Sequence, residues 1–202
     1  MAYSGPPKHH AQPSGPHHRP QRSHAPTHYA TPMIAVLADT HSDTDHALTG
    51  HARQAVADAD AVVHAGDFTT ESSLDAFHDA ATRLHAVHGN ADSPAVRDRL
   101  PPARTITTAG LRIALTHREP GGDTALSLFG RERGADIVVS GHTHTPTLTT
   151  TPTAVLLNPG SHADPRGSPA AHATLHPTDH GVRIAISTRD GDTIRSTHVS
   201  RD

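Results

Sequence analysis

Residues 33–41, "MIAVLADTH", set the reading of the whole chain. The run 33–38 is continuously apolar, the length of a buried strand and too short for a core helix. It stops at a carboxylate and an imidazole, Asp39 and His41. The same pattern recurs. "AVVHAG" (61–66) runs into Asp67, "LHAVHG" (84–89) into Asn90, and "ADIVVS" (135–140) into the pair His142 and His144. Helical patterns lie between these runs: one reaching about Ala59, an amphipathic one over 70–83 and one over 123–134. "ARTITTAGLRIALTH" (103–117) divides at Ala109–Gly110 into two alternating strands, a hairpin whose return strand ends at His117. Short β segments follow at 146–151, 153–157, 171–176, 182–188 and 193–199, with Asp190–Gly191 as a hairpin turn. β-α-β units followed by hairpins predict an α/β domain of two sheets packed face to face with helices outside.

Composition narrows the function classes. The 202 residues contain no tryptophan, three phenylalanines and two tyrosines, so the core must be built from Ala, Val, Leu and Ile. Cysteine is absent, which excludes disulfides and thiolate metal sites. No apolar run reaches the length of a membrane span, and the N-terminus lacks the apolar centre of a signal peptide, so a cytoplasmic protein with no membrane partner is expected. Formal net charge is −3. No acid precedes Asp39, whereas Lys8, Arg19 and Arg22 do, and no basic stripe suited to a nucleic-acid track is visible. Residues 1–32, rich in Pro, His, Ser and Gly, have nothing to bury and read as a disordered tail; the folded domain is expected over 33–202. A homo-oligomer is compatible with the sequence, which does not specify one.

The candidate site residues share one placement, each just past a strand, where functional groups collect on the rim of an α/β sheet. Asp39, His41, Asp67, Asn90, His117, His142 and His144 combine imidazole, carboxylate and amide oxygen, a donor set suited to borderline divalent metals. Seven donors exceed one tetrahedral site and suit two adjacent sites sharing a carboxylate. Histidine makes up 21 of the 202 residues, so "GHTH" alone carries little weight. The ordered set D-x-H, G-D, G-N, H, G-H-x-H carries a great deal.

"ADTH" (38–41), "HAGD" (64–67), "HGNAD" (88–92), "THRE" (116–119) and "SGHTH" (140–144) resemble the five signature blocks of calcineurin-like metallophosphoesterases. "NPGS" (158–161) is similar to the small single-domain prokaryotic phosphodiesterase branch. The resemblance implies a four-layer α/β/β/α sandwich of two mixed β-sheets flanked by helices. It also implies two divalent metal ions, with manganese the leading candidate and nickel, cobalt, iron, zinc and magnesium as alternatives. One ion would take Asp39, His41, Asp67 and His144, and the other Asp67, Asn90, His117 and His142, with Asp67 bridging. The metals would clamp a phosphodiester and make hydroxide available near neutral pH, while Asn90 would meet charge on the phosphoryl oxygens. Asp67 and Asn90 are thus the candidate catalytic residues.

The chain departs from the family pattern twice. Ala91 stands where many relatives carry a histidine that protonates the leaving group, and Arg118 stands where glycine is usual. Arg118 is accordingly a candidate substrate-phosphate ligand, or alternatively a side chain pointing to solvent. Asp43 and Asp92 are candidates for orienting ligand histidines, or alternatively for helix starts. His64, His88 and His162 are candidates for supporting the site. His46, His51, His78, His85, His172 and His176 are expected at the surface or half-buried. The competing reading is a noncatalytic protein-binding scaffold of the same fold.

Overall fold

The computed structural model describes residues 1, 2, 5 and 32–200. The expected tail thus lies almost wholly outside the described residues. The elements run β1 (Ile34–Leu37), α1 (Gly50–Asp58), β2 (Ala61–His64), α2 (Glu71–Ala80), β3 (Leu84–Ala86), α3 (Pro94–Arg99), β4 (Ala103–Thr108) and β5 (Leu111–Thr116). They continue with α4 (Gly122–Glu132), β6 (Ile137–Val139), β7 (Thr147–Thr150), β8 (Val155–Asn158), β9 (Ala171–Thr178), β10 (Gly181–Thr188) and β11 (Thr193–Ser200).

Two mixed sheets form, ordered β11-β10-β9-β1-β2-β3 and β4-β5-β6-β8-β7. In the first, β1, β2 and β3 are parallel and β9 joins β1 antiparallel. In the second, β5, β6 and β8 are parallel. The apolar runs explain the layering, because successive strand residues face opposite ways. Ile34 and Val36 of β1 enter a central core with Val63, Ile113, Leu115, Ile137, Leu157 and Ile184, packed between the sheets. Ala35 and Leu37 face outward onto α1, α2 and α3 through Ala52, Val56, Leu74, Phe77 and Val96. Ala114, Val138 and Leu156 face the opposite way, onto Phe129 and Leu126 of α4. The result is the four-layer α/β/β/α sandwich.

Local chemistry sets the element ends. The Thr70 side chain accepts from the Ser73 N–H and starts α2. Sequence patterning does not pick out α3, which is only six residues long; Ser93 caps it through the Val96 N–H and Pro94 occupies its first turn. Thr49 is the N-cap of α1. The two candidate helix starts, Asp43 and Asp92, therefore both fail. Hydroxyl residues nearer each first turn take those places.

Candidate metal centre

All five loops that carry the candidate ligands leave the carboxyl ends of parallel strands, β1, β2 and β3 in one sheet and β5 and β6 in the other. Pairing between the first two continues past the strands themselves. Asp39 N–H donates to Gly66 O (2.9 Å), His41 N–H to Asp67 O (3.0 Å) and Ser42 N–H to Phe68 O (3.2 Å). Asp39 and His41 are thereby held beside Asp67. In the second sheet, Gly141 N–H donates to His117 O (2.9 Å) and joins the β5 and β6 loops; His142 N–H ties them to the first sheet by donating to both Asp39 carboxylate oxygens (3.0 and 2.9 Å).

Close approach explains two of the motif glycines. A Cβ at Gly89 would lie 2.1 Å from Asp67 Oδ1, and one at Gly141 would lie 2.7 Å from Asp39 Oδ2. No other residue leaves room for the two carboxylates. The backbone is unusual at the donors as well: Asp39, His41, Asp67, His142 and His144 all have φ between 40° and 73°. Left-handed non-glycine residues cost roughly 1–3 kcal/mol each and persist where the surroundings hold them. Their concentration at the candidate ligands shows that the packed loops hold these five residues in one enforced arrangement.

Two groups of donor atoms converge, Asp39 with His41 and His144, and Asp39 with Asp67 and His117. His41 Nε2 lies 3.3 Å from His144 Nε2 and 3.5 Å from Asp67 Oδ2. His144 Nε2 lies 3.5 Å from Asp39 Oδ1. His117 Nε2 lies 3.3 Å from Asp67 Oδ2, 3.1 Å from Asn90 Oδ1 and 4.0 Å from Asp39 Oδ1. The His142 ring packs edge-on against that of His117 at 5.3 Å, and its Nε2 lies 3.4 Å from Arg118 Nη1. The structure thus brings together all seven residues, with Arg118 exposed beside them.

The donor atoms fit a cation. His117 Nδ1 faces the Ala65 carbonyl (2.8 Å), and a nitrogen facing a carbonyl must donate. In the neutral ring Nε2 then carries a lone pair, aimed at oxygens of Asp67 and Asn90. His144 repeats the arrangement: Nδ1 donates to the Asp164 carbonyl, and Nε2 faces Asp39 and His41. Lone pairs pointed at one another repel unless positive charge lies between them. Burial lowers the His41 and His142 pKa values, favouring the neutral, ligating form. Burial raises the Asp39 carboxyl to about 6 against the pull of His117 and His144. Burial would raise Asp67, but His117 and the Ala91 N–H stabilise its anion and hold it below the usual carboxylate value; burial would lower His117, but Asp67 and Asp39 raise it.

The surrounding residues differ from expectation. Asp92 orients no ligand histidine. Its buried carboxylate accepts from the N–H groups of Asp67 (3.1 Å), Thr69 (2.8 Å) and Gly89 (2.7 Å), tying the Asp67 and Asn90 loops together. Asp43 is exposed and offers its carbonyl to the Thr70 hydroxyl. His64 is fully buried, stacked on Phe68, and braces the Asp39–His41 loop through Thr40 Oγ1 (3.2 Å). His88 contacts Gly89 O (3.3 Å) and borders the cavity beside Asn90. His162 turns away, because its Nε2 accepts from the Thr49 N–H (3.1 Å) at the start of α1. His172 is fully buried, correcting its expected exposure, and meets His51 at 3.0 Å.

Sequence reasoning missed Asp164, whose carbonyl fixes the His144 tautomer. The only available signal was its position just after "NPGS". That motif is a brace: Asn158 Nδ2 donates to Gly141 O (2.8 Å) and Thr143 Oγ1 (3.1 Å), and Ser161 Oγ donates to Asp39 O (2.6 Å).

Fold and site together define a phosphoesterase of the metal-binding type. The family model of the calcineurin-like phosphoesterase superfamily domain matches residues 33–181, and the chain belongs to that superfamily. It is 34% identical over 161 residues to a probable metallophosphoesterase of Methanocaldococcus jannaschii, covering 76% of this chain and 81% of the relative. A probable metallophosphoesterase of Methanothermobacter thermautotrophicus is 36% identical over 138 residues, 66% of this chain and 79% of its own. Among solved structures, a predicted phosphoesterase from Streptococcus pneumoniae aligns with a TM-score of 0.66 at 25% identity, covering 84% of this chain and 98% of its own. Vacuolar protein sorting 29 from Cryptosporidium parvum aligns with a TM-score of 0.73 at 18% identity, covering 84% and 98%, a likeness of fold alone. Among the described residues, no helix is long and apolar enough to cross a membrane.

Proposed function

We propose that the protein is a metal-dependent phosphodiesterase with a dinuclear centre. The observation that carries this reading is the convergence of seven metal-competent side chains from five strand ends: Asp39, His41, Asp67, His117 and His144 form two donor groups, and Asn90 and His142 adjoin them at His117. Asp39, His41, Asp67 and His144 would hold one ion, and Asp67, Asn90, His117 and His142 the other. Asp67 is the better bridge, since its Oδ2 lies 3.5 Å from His41 Nε2 and 3.3 Å from His117 Nε2. Asp39 reaches His117 only at 4.0 Å, and both its oxygens already accept from the His142 N–H. When bound, such ions supply Lewis acidity and activate water near neutral pH. Manganese is the leading candidate carried over from the family resemblance; the mixed imidazole, carboxylate and amide set suits nickel, cobalt, iron and zinc as well.

The chain's own residues do the rest. The Asn90 amide and the Arg118 guanidinium stand exposed at the open side of the cluster and donate to phosphoryl oxygens as charge develops there. Asp164 and Ala65 hold His144 and His117 in the tautomers that present Nε2. Ala91 offers no proton to a leaving group, which favours diesters with acidic leaving groups over alkyl monoesters. A noncatalytic scaffold of this fold has no need for a complete donor set. The test is metal analysis of the purified protein with a screen of diesters and monoesters after reloading each divalent metal. Two equivalents of metal and diester turnover are expected; a chain that binds no metal and cleaves no ester is not this enzyme.

A further inference from the structure

Two cavities border the Asn90–His117–His142 cluster. One, of about 370 Å³, is lined by Asn90 and His117 together with His88, Arg97 and Pro102. The other, of about 300 Å³, is lined by His142 together with Leu126, Thr147, Leu156 and Leu157. Arg118 and Glu119 line both. The segment that follows His117 is therefore a partition, and it carries the arginine that replaces the family's usual glycine. Thr116 Oγ1 donates to Glu119 Oε1 (3.2 Å) and to Arg118 O (3.3 Å), folding the partition back onto the end of β5. Each cavity is at the small end of ligand-site volumes, enough for one ring-sized group.

We propose that the substrate is a phosphodiester of two ring-sized groups. Its phosphoryl group lies beside Asn90, His117 and His142, with the Arg118 guanidinium on it, and one ester arm occupies each cavity. This rests on the esterase reading above. A monoester fills one cavity at most, and a diester with a methyl arm leaves one empty. The two walls differ, since Arg97 and His88 border only the first cavity and Leu126, Leu156 and Leu157 only the second.

Kinetics of the manganese-loaded full chain on bis(4-nitrophenyl) phosphate and methyl 4-nitrophenyl phosphate test this, as both release the same leaving group. After division by each ester's uncatalysed hydroxide rate, kcat/KM should favour the two-armed ester about tenfold or more, the size expected for taking one aromatic ring out of water. Pro102→Trp fills the first cavity and Thr147→Trp the second; both positions are exposed, so neither change disturbs the core. Either variant should cut the preference to about threefold or less. Calorimetric binding of diphenyl phosphate against methyl phenyl phosphate gives the same comparison without turnover. No preference in the unmodified chain, or a preference that survives either variant, overturns the two-armed substrate. Tight diphenyl phosphate binding lost in both variants, with no ester cleaved, keeps the cavities and overturns the esterase reading instead.

Discussion

Asp67 is the carboxylate that the two proposed ligand sets share. Its Oδ2 faces one histidine of each, while its Oδ1 accepts from the Ala91 N–H at 2.7 Å. Asp67→Asn keeps the shape and removes the charge, so loading should fall at both sites and turnover should drop about 10²-fold or more; elemental analysis beside kinetics checks it, and a fully loaded, fully active variant would refute the shared carboxylate. Ala91 is exposed and engages Asp67 only through its main chain, so a histidine fits there without breaking that bond. General acid catalysis contributes about 10²–10⁴-fold, most for poor leaving groups. Rates on aryl diesters should fall steeply with leaving-group pKa, and Ala91→His should flatten the slope. A shallow slope in the unmodified chain would mean that another group supplies the proton. His162 is not that group, since it faces Thr49.

At the scale of elements, the β2 and β3 loops are joined by one side chain. Asp92, in the loop before the Ser93 cap of α3, collects three N–H groups from the Asp67 and Asn90 loops. Leaving buried donors unpaired costs about 1–3 kcal/mol each, so Asp92→Ala should lower stability by about 3 kcal/mol or more and weaken metal binding together with it. Urea unfolding and metal titration of Asp92→Ala and Asp92→Asn measure both, with the asparagine intermediate because it keeps one acceptor oxygen. Loss of stability with unchanged metal affinity would show that the Asp67 loop holds its shape unaided. The strand ends were legible from the apolar runs. The linkage was not, because Asp92 lies 25 residues from Asp67 and reads locally as a helix start.

For the molecule as a whole, buried neutral histidines make stability depend on pH. Burial pushes His64 down to about 3 and His162 and His172 down to about 4, from an ordinary 6.5. The unfolded chain takes up protons near pH 6.5 that the fold refuses until about pH 3–4. Their contribution is therefore complete above pH 6.5 and is lost progressively as pH falls through that window. Melting temperature in EDTA, which removes metal effects, should be lower at pH 5 than at pH 7.5, and His172→Gln should reduce the difference. Asp39 and His117, whose raised values act in the opposite direction, also shape the profile, so the variant decides: a pH profile that His172→Gln leaves unchanged would show that this ring protonates freely in the fold. Truncation to Met33 is expected to leave melting temperature and activity nearly unchanged, since residues 1–32 offer no periodic apolar face; a loss of more than a few degrees would show that they dock.

The sequence by itself determined the layers and the positions of the candidate ligands. Continuous apolar runs bury both faces of β1, β2, β6 and β8 and so demand a layer on each side of the sheet, and a polar residue after such a run must emerge at the sheet rim. Both are local properties, readable a few residues at a time. What only the tertiary structure decided is the direction of each side chain among so many histidines. His142 joins the donor cluster while His162 accepts from a helix start, and His64 braces a loop from behind. Those outcomes depend on contacts between residues tens to more than a hundred positions apart, such as Ser161 to Asp39, and on left-handed backbone at five candidate donor positions. No local pattern encodes them, because the strain is held in place by the packed loops around it.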